Sequence, residues 1–244
     1  MRVLVISDIH ANLVALEAVL ADTGTVDEVW CLGDTVGYGP DPNGCVERLR
    51  GIPNLGLCVA GNHDAAVLGD MPFVEFNHDA RRSLEWQREA LTGENADFLR
   101  SLPTSKQVCG DVTIAHGSPR DPTWEYILNT LAARLNFEAF DTDFCFVGHS
   151  HVQSIFYYNK ERDRISLDVP REGKLIELKP RTIINPGSVG QPRDRDPRSA
   201  YAIYDSESRT WESRRVVYDI PAVQREIIAA GLPERHALRL AEGW

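Results

Sequence analysis

Five short stretches of this 244-residue chain hold residues able to bind a cation or move a proton: "SDIH" (7–10), "GD" (33–34), "GNHD" (61–64), "AHG" (115–117) and "GHSH" (148–151). They contain Asp8, His10, Asp34, Asn62, His63, Asp64, His116, His149 and His151, and so five of the seven histidines. His149 and His151 stand where the apolar run "FCFV" ends; on a continuing strand, i and i+2 point the same way and can grip one partner. A single histidine at a strand end is usually structural, but five of them at four of five strand ends, beside two aspartates, are a site. Imidazole and carboxylate without thiolate suit Mn²⁺, Fe or Zn²⁺. Seven ligands are too many for one ion and fit two that share a bridging carboxylate.

The elements that must position these residues can be read from period and punctuation. "RVLVIS" (2–7) is a β-branched run expected of a strand buried on both faces. Asn12 is placed to cap a helix with Leu13, Leu16 and Leu20 at helical spacing, stopped by Gly24. "EVWCLG" (28–33) and "LGLCVAG" (55–61) are further strands around the short helix "PNGCVERLRG", a β-α-β-α-β order that predicts a parallel layer. A helical stretch from Asn77 to Leu102 breaks at Gly93; then come strand "VTIAHG", a helical piece near 129–140 and strand "FCFVGHSH". In an open α/β sheet, ligands bind beyond the carboxyl ends of the strands, so the five loops would meet at one edge. After residue 151, "SIFYY", "KLIELK", "RTIINPGS", "AYAIYD" and "ESRRVVY" alternate with turns and predict antiparallel pairing; helices at 220–230 and 233–242 close the chain. The expected fold is α/β, one domain over residues 1–244, with two sheets face to face and helices outside. His78 and His236 fall in polar helical contexts and are expected on the surface.

Composition narrows the partners. A formal net charge of −10 disfavours nucleic acid, whose binding rests on Lys and Arg neutralising phosphates. A small anion remains compatible, because bound cations can dominate a site's local charge. The five cysteines form no CxxC pair, and Cys31, Cys58 and Cys145 lie in apolar runs, which predicts buried reduced thiols in a cytosolic protein. The apolar start is too short for a secretory signal, and no run reaches the 18 residues or so of a membrane span.

Taken in order, "DIH", "GD", "GNHD", "AHG" and "GHSH" resemble the calcineurin-like metallophosphoesterases over nearly the whole chain. The resemblance implies a four-layer α/β/β/α sandwich and two divalent or trivalent ions (Mn, Fe or Zn). One ion would be held by Asp8, His10 and His151, the other by Asn62, His116 and His149, with Asp34 bridging. It implies His63 as a catalytic histidine off the metals, which Asp64 would orient through a hydrogen bond. The protein phosphatases of the family carry an arginine where "GDTVGYG" places Tyr38. "GDTVGYGPDPN" and "NPGSVGQPRDRDPRSAY" are similar to the small prokaryotic branch that includes dinucleoside-polyphosphate hydrolases. Arg193 would supply the missing phosphate contact, the alternative being a loop arginine in solvent. The implied activity is hydrolysis of a small molecule's phosphomonoester, phosphodiester or phosphoanhydride by metal-activated water. A nuclease and a non-catalytic metal-binding scaffold of the same fold are the rival readings.

Overall fold

The computed structural model describes residues 1–244. β1 (Arg2–Ile6), β2 (Glu28–Cys31) and β3 (Leu55–Cys58) pair in parallel, crossed over by α1 (Leu13–Thr23) and α2 (Pro42–Arg50). Asn12 caps α1 as expected: its Oδ1 accepts from Ala15 N at 3.1 Å, and its Nδ2 donates to the Gly190 carbonyl at 3.0 Å. Next come α3 (Asn62–Leu68), α4 (His78–Ala90) and α5 (Gly93–Ser101). The second half holds β4 (Gln107–Cys109), β5 (Val112–Ala115), α6 (Thr130–Asn136), β6 (Phe144–Val147), β7 (Ser154–Asn159) and β8 (Arg164–Asp168). It continues through β9 (Leu175–Glu177), β10 (Thr182–Asn185), β11 (Ser199–Asp205) and β12 (Thr210–Val216) to α7 (Ile220–Ala229) and α8 (Glu234–Glu242).

Two mixed six-stranded sheets result, ordered β3-β2-β1-β11-β12-β9 and β4-β5-β6-β10-β7-β8. Their inner faces share one apolar layer that includes Val3, Val5, Trp30, Phe144, Phe146 and Trp211. The Phe146 ring meets Trp211 and Tyr204 edge-on, with centroids 4.9 and 5.1 Å away. α1 and α2 cover the outer face of the first sheet through Leu16, Val19, Cys45 and Leu49, and α6 covers the second through Ala133. No helix is long and apolar enough to cross a membrane.

Several expectations need correction. The five site-bearing strands do not form one sheet: β1, β2 and β3 lie in the first, β5 and β6 in the second. Thr182–Asn185 is not wholly antiparallel, for β10 runs parallel to β6 and antiparallel to β7. "GNHD" opens a helix rather than ending in a loop. Cys58 is only half-buried, whereas Cys31 and Cys145 are buried. His78 is exposed, but His236 is buried, its Nε2 donating to the Asp79 carbonyl at 3.1 Å. The ring sits on the inner face of α8 with Ala237 and Leu240, where the packing of α7, α8 and α4 shields it.

Because Phe146 is fully buried between the sheets, Phe146→Ala is expected to cost about 3–5 kcal/mol in denaturant unfolding, the range for large aromatic truncations. Leu131→Ala, at a site 69% exposed, should change stability by no more than about 0.5 kcal/mol. A loss under about 1 kcal/mol at Phe146 would contradict a core made where the sheets meet.

Candidate metal centre

The carboxyl ends of β1, β2 and β3 meet those of β5 and β6 along one rim of the sandwich, and backbone hydrogen bonds lace the loops there. Asp8 N donates to Gly33 O (2.9 Å), His10 N to Asp34 O (3.0 Å), Gly148 N to His116 O (2.8 Å) and Gly190 N to Asp8 O (2.9 Å). The chain turns sharply at five of the seven donors. Asp8, His10, Asp34, His149 and His151 all have left-handed φ, between 51° and 64°. β6 ends at Val147, so turn geometry rather than strand alternation brings His149 and His151 inward. Such conformations cost on the order of 1–3 kcal/mol each and persist only where surrounding structure enforces them. Glycines let the loops approach closely: a side chain at Gly61 would meet Asp34 Oδ1 at 2.0 Å, and one at Gly190 the Ile9 carbonyl at 1.8 Å.

Two groups of donors share Asp34: Asp8, His10, Asp34 and His151 in one, Asp34, His116 and His149 in the other. Asn62 joins the second, its Oδ1 lying 3.1 Å from His116 Nε2. All seven sequence-predicted ligands are therefore brought together. His10 Nδ1 donates to the Val36 carbonyl (3.0 Å), His151 Nδ1 to Gln191 (2.6 Å) and His116 Nδ1 to Leu32 (2.8 Å). A carbonyl can only accept, so each ring carries its proton on Nδ1 and turns Nε2 inward. His10 Nε2 and His151 Nε2 then face each other at 3.0 Å.

Charge follows the same logic. Burial holds His10, His149 and His151 far below the ordinary histidine range, hence neutral at pH 7. Burial also opposes the charge of His116, but Asp34 beside it at 3.3 Å wins and raises it to about 9. Asp34 is correspondingly drawn below the usual carboxylate range despite its burial, chiefly by His116 and His63. Asp8 is pushed up to about 7, by burial first and by Asp34 as well, with His116 opposing. Two neutral nitrogens facing each other, a buried Asp34 carboxylate and a proton retained beside it on His116 describe a pocket that favours positive charge. The N/O donor set suits borderline divalent or trivalent ions.

His63 stands beside this cluster. Its ring lies 4.9 Å from that of His10 and 4.5 Å from Tyr38, and burial lowers its pKa to about 4. Nδ1 has no partner, and a side chain on Gly37, whose φ is +96°, would strike it at 2.3 Å. Asp64 does not orient this ring. Its carboxylate accepts from the backbone N–H of Gly61 (3.0 Å), Thr35 (3.2 Å) and Val36 (3.0 Å), closing the start of α3 and fastening the loop that carries Asp34. Arg193 is not a solvated loop arginine. Its guanidinium lies over Tyr38 at 5.6 Å, Nη2 donates to Gln191 Oε1 at 3.0 Å, and Nε is buried without a partner. Burial opposes its charge, yet Tyr38, Tyr126 and Asp8 more than compensate and raise its pKa.

Other residues at the rim carry no sequence signal of this kind. Tyr126 stacks on His149 with centroids 3.8 Å apart, Phe76 meets His63 edge-on at 4.9 Å, and Trp124 meets Phe76 at 5.1 Å. They come from irregular segments without periodicity. Gln87 of α4 fixes the Tyr38 loop by accepting from Gly37 N (2.6 Å) and donating to Gly39 O (2.7 Å). His236 backs the Tyr38 ring at 5.0 Å.

Comparison with known proteins fits this geometry. The model of the calcineurin-like phosphoesterase superfamily domain matches residues 1–209. The uncharacterized protein MJ0912 of Methanocaldococcus jannaschii is 39% identical, the alignment covering 98% of this chain and 97% of that protein. A metallophosphoesterase from Sphaerobacter thermophilus superposes with a TM-score of 0.91 at 48% identity, covering 100% of this chain and 99% of its own. Hypothetical protein PH1004 of Pyrococcus horikoshii shares the fold, with a TM-score of 0.77 at 21% identity over 100% of this chain and 98% of that one. With its donors at the shared rim of two mixed sheets and the family model spanning most of its length, the chain belongs to the calcineurin-like phosphoesterase superfamily.

Proposed function

We propose that the protein hydrolyses a phosphoester or phosphoanhydride of a small molecule, with one cation held by Asp8, His10 and His151, a second by Asn62, His116 and His149, and Asp34 shared. The observation that carries this reading is the pair of buried imidazole nitrogens facing each other at 3.0 Å, His10 Nε2 and His151 Nε2, beside the Asp34 carboxylate that the two donor groups share, an arrangement a bound cation would satisfy. Two such cations, when bound, neutralise phosphoryl oxygens and make water a nucleophile near neutral pH.

The chain's own residues supply the rest. Backbone carbonyls on Nδ1 keep the Nε2 lone pairs of His10, His116 and His151 aimed inward, as outer hydrogen bonds do for metal-bound histidines generally. Arg193, whose Nη2 donates to Gln191 and whose Nε is buried without a partner, would bind a phosphate oxygen, with the Tyr38 ring under its guanidinium. His63, neutral at pH 7, donates an N–H to the departing oxygen and stabilises its charge as the bond breaks. Asp64 is a positioning residue for the Asp34 loop and touches no reacting atom.

Two variants test these roles. A nitrophenolate leaves well as an anion, whereas an alkoxide needs a proton or a hydrogen bond. His63→Asn is therefore expected to lose about 10²–10⁴-fold in kcat on alkyl esters, and distinctly less on nitrophenyl esters, with metal content unchanged. Equal losses on both ester types would remove His63 from the leaving group, and loss of a metal would make it a ligand. Arg193→Ala should lower kcat/KM by about 10- to 150-fold, corresponding to ~1.5–3 kcal/mol for a hydrogen bond to a charged group. Unchanged kinetics on the best substrate would end the assignment.

A further inference from the structure

The rim of the centre is asymmetric. On one side stand the cation Arg193 and the loop of Tyr38; on the other stand three aromatic rings, Phe76, Trp124 and Tyr126, in contact with His63 or His149. Tyr126 is the unusual one. One face of its ring stacks on His149 at an interplanar angle of 25°, yet the residue remains 42% exposed. Ile127, buried in the apolar layer under α6, anchors the segment, so the ring is held in place rather than hanging from a free loop. The stack on His149 places this ring at the rim of the centre. A pocket for a bare phosphate has no use for a partly exposed aromatic residue at its rim, and exposing one forfeits burial that a side chain of this size normally gains.

We infer that Tyr126, flanked by Trp124, is a specificity-determining platform on which a planar ring of the substrate's ester group stacks while its phosphoryl group lies between the cation ligands and Arg193. This rests on the phosphoester-hydrolase reading. The substrate class is a phosphoester bearing an aromatic or heteroaromatic ring close to the scissile phosphorus. A nucleoside and a simple aryl ester share that chemistry, and the reach of the ring from phosphorus separates them.

The test compares adenosine 5′-monophosphate, phenyl phosphate and glycerol 3-phosphate (or their methyl diesters, whichever series is turned over) with Mn²⁺-loaded protein. Tyr126→Leu removes the ring, and Tyr126→Phe keeps it. The selectivity, kcat/KM for a ring ester over that for the glycerol ester, should fall about 5- to 100-fold in the leucine variant, the span of stacking per base, and stay within threefold of wild type in the phenylalanine variant. Collapse confined to the adenosine ester identifies a nucleoside, and collapse confined to the phenyl ester identifies an aryl group. Equal falls for ring and glycerol esters would overturn the proposal and leave Tyr126 as a prop for His149. Absence of turnover on every ester would sink the hydrolase reading instead. Calorimetric affinities of the same ligands would then decide the platform, a ring preference lost with leucine supporting it and no preference overturning it.

Discussion

Lone pairs that face one another across 3.0 Å, on two imidazoles whose other nitrogens are committed to carbonyls, cannot be accommodated by repacking. Everything at this rim depends on that constraint. The donors are buried, so water does not relieve them, and the three neutral histidines have their protons driven off by that burial. The single imidazole that retains a proton, His116, does so because Asp34 lies 3.3 Å away. That proton offsets part of the carboxylates' charge; divalent ions would answer the same demand more fully.

Holding such a cluster costs stability, and the cost is spread over the whole fold. Left-handed backbone at Asp8, His10, Asp34, His149 and His151 is offset by the apolar layer between the sheets and by the bonds that lace loops from both of them. The rim is shared by two sheets, and neither alone supplies the full donor cluster: β1, β2 and β3 bring the aspartates, His10 and Asn62, while β5 and β6 bring His116, His149 and His151. The outer helices act at one remove. Asp64 at the start of α3 and Gln87 on α4 fix the loops of Asp34 and Tyr38, and His236 on α8 closes behind Tyr38.

The clustering of these side chains was legible because metal chemistry selects residue types, and those types stand directly after apolar runs. The first β-α-β-α-β units and the α7–α8 pair were legible through period and glycine stops. Which strands share a sheet was not, because an apolar run of four or five residues such as "VTIA" carries no mark of its neighbour. Asp64 was misread because adjacency in sequence suggested a partnership with His63; once "GNHD" begins a helix, successive side chains diverge by about 100° and Asp64 turns back to the free N–H of Gly61. Gly61 in the cap position removes the usual serine or aspartate signal for that helix start. His236 had a usable signal in its four-residue spacing from Leu232 and Leu240, both buried. Tyr126 and Trp124 had none, since the chain between β5 and α6 is irregular and nothing in composition says which side chains face the rim.

The central claim is that this cluster is incomplete without two cations joined through Asp34, and the direct measurement is a Mn²⁺ titration of metal-free protein by calorimetry, with melting temperature followed alongside. The account predicts two equivalents bound and a melting temperature that rises with free Mn²⁺, by about 2.7 kcal/mol of stability for a site at 100 times its Kd, with both sites weakened in Asp34→Asn. Saturation at one equivalent, no change in melting temperature, or two tight ions persisting in Asp34→Asn would contradict it.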